Sequence, residues 1–271
     1  MPSYLNDAQV TFIIRGLRSF IPTLAYNSHN AFIHAQLYAD DHHQPSAYQD
    51  ACALSALYTL KTKTNTPLLA KTIDAKITAL ITNSHSWTLE EHLAAVQALI
   101  IYQTIRLFDP TLNLQDAALP HNHLLALWTA HLWKRSFTSP LTLQNCHASW
   151  VFYESLRRTV FISVFLRGAW SAATRGGLCD QVPVLARLPM STDERLWAGG
   201  KEEFEARTPC MRKREALVAY GEWSQRWRAG REGEGEADDP EGLSDFQRLL
   251  LVPCRGREDV RLFYKDGVRI E

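Results

Sequence analysis

The chain has 271 residues, of which 46% are hydrophobic, an ordinary globular proportion that fits one large domain or one domain with an appendage. Its 29 basic side chains balance 29 acidic ones, so the net charge is zero and no overall field draws it to nucleic acid or an anionic membrane. No charged-then-apolar leader opens the sequence, and the strongest apolar run, Val160 to Leu166, is far short of the ~20 residues that span a bilayer. These features point to the cytoplasm or the nucleus.

Charge is uneven along the chain. Residues 1–150 hold 9 of the basic and 9 of the acidic side chains, and all ten histidines precede residue 148. An apolar, lightly charged body is therefore followed by a more charged C-terminal part.

The body reads as consecutive helices. Ser46 and Gln49 have capping-box spacing and open a helix with Tyr48, Ala51, Cys52, Leu54, Leu57 and Tyr58 on its apolar side. Asn65 closes it. Thr66 caps the next helix, with Pro67 at the tolerated first position and a buried stripe through Leu69, Ile73, Ile77, Leu80 and Ile81. Thr88 and Glu91 form a second capping box, and Leu89, Leu93, Val96, Leu99, Ile100, Ile105 and Leu107 follow at helical spacing. This helix is apolar over more than half its circumference, which predicts a central place in a helical core. Asp109-Pro110 ends it, since proline disfavours helical geometry in the preceding residue.

Residues 110–120 read as a loop. Leu124, Leu125, Leu127, Trp128, Leu132 and Trp133 suggest a further helix before Pro140, and another runs from near Cys146 to Ala173, stopped by Gly176-Gly177. Beyond residue 178 the pattern breaks. Pro183 and Pro189 frame an extended segment, Asp193 to Trp197 starts a short helix, and Glu202 to Arg228 reads as a helix with many exposed charges. Residues 230–242, rich in glycine and acid, cannot bury a core and read as a flexible loop. Val260 to Ile270 is either a strand pair or irregular. The expected architecture is all-α, packed antiparallel helices with a charged, partly irregular C-terminal extension. The expected division is a helical domain over 1–205 and an extension over 206–271.

No catalytic constellation emerges, and no catalytic, cofactor-binding or metal-binding residue is assigned. The cysteines at 52, 146, 179, 210 and 254 lie at least 31 residues apart, which gives no zinc pair and suits reduced thiols. His42-His43, His121-x-His123 and His131 lack metal-site spacing on a helix. Glu154 with Arg157 and Arg158 makes an i, i+3 and i, i+4 ion-pair unit, structural first and a ligand or partner contact second, and Arg106 is read the same way. Trp128, Trp133, Trp150 and Trp170 read as core rather than as a ligand cavity. Asp40-Asp41-His42-His43-Gln44 partly matches an aspartate-rich magnesium motif of all-helical terpene-type cyclases, but no second magnesium motif follows. Phosphate-loop, dinucleotide and nucleophile-elbow signatures are missing.

Four phrases, in order, resemble the middle regulatory domain of fungal zinc-cluster transcription factors: AFIHAQLY at 31–38 leading into YQDACALSALYTLKTKTN at 48–65, VQALIIYQTIRLFD at 96–109, WVFYESLRRTV at 150–160, and LPMSTDERLWAGG at 188–200. In the last, Ala198-Gly199 stands where the family usually has Glu-Ala. The resemblance implies an all-α, non-enzymatic regulator in the nucleus, of the kind that often controls metabolic or secondary-metabolite gene clusters. It further implies that transcription machinery, another regulator, or a homo- or heterodimer partner binds it.

No cysteine precedes Cys52, so the family's six-cysteine zinc cluster is not among these residues and they do not support direct DNA binding. A scaffold or dimer competitor without DNA binding is the alternative expectation, with a cytoplasmic location, and a metal-dependent terpene-type enzyme is a remote third.

Overall fold

The computed structural model describes residues 1–40, 43–141, 143, 145–207, 217–228, 238–265 and 268–269. Among them are eleven α-helices and two short two-stranded ribbons, the all-α class expected from the sequence. No helix among the described residues is long and apolar enough to cross a membrane. The chain forms two compact units, residues 17–166 and residues 1–16 with 167–271. Their boundaries fall within α1 (Asp7–Asn27) and α6 (Cys146–Thr174).

The unit of residues 17–166 is organised around α4 (Leu89–Phe108), in contact with α2 (Ser46–Thr59), α3 (Thr66–Asn83) and α5 (Gln115–Thr138). Both bonds of the Thr88–Glu91 capping box are present. Beyond its first turn α4 is buried on every face from His92 to Phe108, because the apolar set read from the sequence meets a neighbour on each side. Each fully buried Leu, Ile or Val contributes about 1.5–3 kcal/mol. Asp109 leaves the helical region at φ −114°, ψ 95°, as its position before Pro110 requires.

Several local expectations in this unit are corrected. Pro45, not Ser46, occupies the N-cap of α2, no side chain caps it, and the helix closes at Thr59 rather than at Asn65. Thr66, expected to cap α3, is its first helical residue; Asn65 holds the N-cap position without a side-chain cap, its amide oxygen accepting from the Thr62 backbone instead. Ile81, expected in the buried stripe of α3, is 43% exposed. The supposed loop over 110–120 is a single 3-10 turn, Pro110–Leu112, followed by α5, which begins at Gln115 and runs through Pro120. That proline lies in the second turn, so it removes only one rung of the helical ladder.

In the other unit, Leu5 and Cys179 donate backbone hydrogen bonds to Gly177 and Ser3 at 2.9 and 2.8 Å. A helix absent from the sequence reading, α11 (Asp245–Arg255), starts with a Ser244–Gln247 capping box. Gln9 donates to the carbonyls of Val252 and Pro253, and Gly16 lets the Leu249 side chain approach α1. The segment between Pro183 and Pro189 is not wholly extended: it begins with a one-turn helix, α7 (Val182–Leu185), and only Pro189–Met190 (β1) forms a strand. β1 pairs antiparallel with β2 (Val218–Ala219).

The short helix expected from Asp193 is α8 (Glu194–Ala198), capped by Asp193. The helix expected from 202 to 228 is broken into α9 (Lys201–Arg207) and α10 (Tyr220–Arg226) on either side of β2, with 208–216 outside the described residues. Of the acidic loop only 238–242 is described, and Pro240–Gly242 there forms a 3-10 turn. The tail carries a small antiparallel hairpin, β3 (Tyr264–Lys265) with β4 (Val268–Arg269).

Candidate functional site

Polar groups inside the unit of residues 17–166 gather along α4 at three levels. At mid-helix, Gln97 accepts from the Tyr38 hydroxyl at 2.8 Å and donates to the Phe32 carbonyl and the Thr159 hydroxyl at 3.2 and 3.1 Å. Beside it on α6, Glu154 accepts from Arg158 Nε at 2.9 Å and from Arg157 Nε at 2.8 Å, while Arg158 Nη1 donates to the Ala31 carbonyl. Glu154 and Arg158 are buried. The ion-pair unit expected from spacing thus exists, and it ties α6 to the 31–38 segment.

At the C-terminal end of α4, the Arg106 side chain is 1% exposed, and its Nη1 lies 2.9 Å from His121 Nδ1 and 3.4 Å from Gln103 Oε1. Its Nη2 lies 3.8 Å from Asp74. Burial lowers the pKa of Arg106, and burial followed by the adjacent guanidinium lowers that of His121. Asp109, one helical turn from Arg106, accepts from Lys61, from the Tyr58 hydroxyl at 2.8 Å and from the Thr111 hydroxyl at 2.7 Å. Burial opposes ionisation there, but the hydrogen bonds from Lys61, Thr111 and Tyr58 outweigh it and bring the carboxyl down to about 2. Tyr58 is pushed up to about 12 by burial and by its bond to Asp109.

At the N-terminal end of α4, His92 is buried beside Trp87, His131 and Arg135. Burial, then the charges of Arg135 and His131, lowers it to about 4, so it is neutral at physiological pH.

A cavity of about 180 Å³ opens between α2, α3 and the start of α4, with Ala47, Asp50, Lys76, Leu80, Trp87 and Glu91 among its walls. Lys76 and Asp50 pair across it at 2.7 Å. Close by, the buried Tyr102 hydroxyl feels the charge of Asp50, and burial raises its pKa strongly. That hydroxyl, the Ser55 hydroxyl and Arg106 Nε have no hydrogen-bond partner among the described residues.

The remaining candidates scatter. Trp128 and Trp150 are core residues, Trp133 and Trp170 are half-buried, and none of the four lines the cavity, whose indole is Trp87. His121 joins Arg106, His131 stacks near His92, and His123 is exposed. Asp40 contacts His43 at 3.1 Å on the surface, while Asp41 and His42 lie outside the described residues. Cys52, Cys146, Cys179 and Cys254 are free thiols, and Cys210 lies outside the described residues. No group of three or more His, Cys, Asp or Glu side chains converges as metal ligands would, among the described residues. Sequence reasoning missed the roles of Asp109, Tyr58 and Lys61. The only signal was Asp109 before Pro110, read there as a helix stop.

Compared with known proteins, the chain is 29% identical over 264 residues to "Transcription factor gsfR2" of Penicillium aethiopicum, a match covering 92% of this chain and 60% of that protein. The chain therefore spans less than two thirds of the relative's length. No family model matches the chain, and no solved structure matches it.

Proposed function

We propose that this chain is a transcriptional regulator that acts without catalysis, the helical regulatory body of a fungal factor. The observation that carries this reading is identity to a fungal transcription factor running through 92% of the chain rather than through one motif. The four phrases that resemble zinc-cluster regulatory domains support it; they fall on the 31–38 segment with α2, on α4, on α6, and on β1 with α8. Its place of action is the nucleus, and its targets are metabolic or secondary-metabolite genes.

Regulation by such a body is a shift between two helix packings with different partner affinity. The orphaned hydroxyls of Tyr102 and Ser55 and the orphaned Nε of Arg106 mark where a second packing gains, because each unsatisfied buried group costs about 1–3 kcal/mol. A small effector entering the cavity between α2, α3 and the start of α4 would act on the packing of the same helices.

The test is to tether residues 1–271 to a heterologous DNA-binding module ahead of a reporter in a fungal host and, separately, to delete the gene. The expected result is reporter output that departs from that of the module alone, with altered transcripts on deletion. Unchanged reporter and unchanged transcripts, together with a stable protein partner on purification, would replace the regulator with a scaffold.

A further inference from the structure

We infer that Ser139 is the acceptor of a proline-directed serine/threonine kinase, and that its phosphate competes for Arg135, the side chain that fastens α5 to the start of α4. The acceptor site stands apart from the regulatory reading; its bearing on the effector cavity rests on that reading.

The sequence contains three Ser/Thr-Pro pairs: Thr66-Pro67, Ser139-Pro140 and Thr208-Pro209. A kinase takes its acceptor from accessible, extended backbone with the hydroxyl free. Thr66 fails on both counts, since it is the first residue of α3 and its hydroxyl donates to the Thr62 carbonyl at 2.7 Å. Thr208 lies outside the described residues. Ser139 meets each condition. A residue before proline is turned out of helical geometry, and Ser139, the C-cap of α5, sits at φ −143°, ψ 63°. Ser139 and Pro140 are exposed, and the described residues from 139 to 145 hold no helix or strand. The Ser139 N–H donates to the Arg135 carbonyl at 2.9 Å, while its hydroxyl has no partner among the described residues. The segment is anchored just beyond, where the Leu141 N–H donates to the Tyr153 hydroxyl at 3.2 Å. Proline after the acceptor brings no N–H. A kinase cleft with an apolar wall and no acceptor there admits it and rejects residues whose N–H would be left unpaired.

In the transfer, Ser139 Oγ attacks the γ-phosphorus of ATP. The new O–P bond forms as the bond to the β-phosphate oxygen breaks, ADP leaves, and the hydroxyl proton passes to the base of the kinase. The product carries about −1.5 to −2 charges at pH 7. It is set beside cations alone on its own helix: from residue 117 to 138, α5 has two bases, Lys134 and Arg135, and no acid. The Lys134 ammonium has no partner among the described residues. Arg135 stands four residues before Ser139, one helical turn away.

Arg135 already has work. Its Nη2 donates to the Trp87 carbonyl at 3.0 Å, and its Nη1 lies 3.2 Å from His92 Nδ1. Both partners are neutral. A phosphate dianion offers the guanidinium charge-assisted, bidentate bonds instead, which are stronger. Phosphorylation therefore draws Arg135 away from Trp87, which lines the cavity between α2, α3 and the start of α4.

The experiment treats the full chain with a proline-directed kinase of the mitogen-activated type, ATP and Mg²⁺, and locates the phosphate by peptide mass spectrometry. Incorporation is expected at Ser139, with loss in both Ser139→Ala and Pro140→Ala; the second variant keeps the hydroxyl. The same phosphopeptide is expected from the chain isolated from a fungal host. The second readout is the His92 titration by proton NMR. After burial, the charges of Arg135 and His131, both on α5, hold His92 down. Phosphorylation is expected to shift its midpoint upward, as Arg135→Met does in the unmodified chain. No phosphate on Ser139 in either setting, equal labelling of Pro140→Ala, or a phosphorylated chain whose His92 midpoint does not move would each overturn the proposal. Neither readout uses a reporter, so failure here and failure of the regulatory reading are told apart.

Discussion

The side-chain amide of Gln97 on α4 donates to the Thr159 hydroxyl on α6 at 3.1 Å, and Thr159 in turn donates to the Ser155 carbonyl at 2.7 Å. This polar rung crosses a contact that is otherwise apolar, because Val96, Ile100, Leu156 and Val160 are all buried around it. Gln97 also satisfies Tyr38 and the Phe32 carbonyl, so one amide closes three buried groups. Replacing it with leucine keeps the volume but removes the partner of the Tyr38 hydroxyl and of the Phe32 carbonyl, while Thr159 keeps its bond to Ser155. The expected cost is about 2–3 kcal/mol of unfolding free energy. A urea midpoint equal to the wild type would show that water can serve in its place.

Glu154 neutralises Arg158 where neither reaches solvent. Glu154→Gln leaves a guanidinium buried beside a neutral amide and is expected to destabilise by about 3–5 kcal/mol. The triple variant Glu154→Leu, Arg157→Met and Arg158→Met removes the carboxylate together with both guanidiniums that it pairs and recovers most of that loss. A triple variant as unstable as the single one contradicts the ion-pair account.

Two groups in the α4 unit make stability rise with pH, in different windows. His92 has its pKa lowered from 6.5 to about 4, so the unfolded chain takes up a proton first. Its contribution is complete above about pH 6.5, is lost as pH falls towards 4, and amounts to about 3 kcal/mol. Asp109 has its pKa lowered from 3.8 to about 2. Its contribution of about 2 kcal/mol is complete above about pH 4 and disappears as pH falls to 2. Thermal melts across these ranges should show both slopes, with His92→Gln flattening the upper one alone and Asp109→Asn the lower one alone.

Gly176 and Gly177 end α6 with φ values of +58° and +89°. A Cβ on Gly177 would sit 2.2 Å from the Leu5 carbonyl oxygen, whereas one on Gly176 would meet nothing within 4 Å. Gly176→Ala is expected to cost about 1 kcal/mol from backbone conformation alone. Gly177→Ala adds a clash with a rigid backbone and should lower the melting temperature several-fold more. Equal shifts for the two would mean that Leu5 yields freely.

Legibility followed how local the cause was. The Thr88 cap, the length of α6 and the Asp193 cap depend on residues a few positions apart, and all three are present. Ser46 and Asn65 have equally good capping residue types but do not cap: Ser46 is already helical behind Pro45, and the amide oxygen of Asn65 closes a turn with the Thr62 backbone. The start of α5 was hidden in the stretch 110–120 that reads as a loop, although Pro120, early in a helix, breaks only one bond. α11 was hidden inside a charged region, where its buried face is supported by α1 and α10 rather than by neighbours in sequence.

What the residues alone determined is the class of fold and its axis: periodic apolar spacing with caps makes α4 a helix, and an apolar circumference leaves it nowhere to go but the centre. Tertiary structure decided the chemistry of its polar groups. Arg106, His121, Asp74, Asp109, Tyr58 and Lys61 sit on four helices and their connections, and only packing brings them within hydrogen-bond or ion-pair range. Burial and pairing depend on which distant groups share a space, and spacing within a single helix carries no record of that.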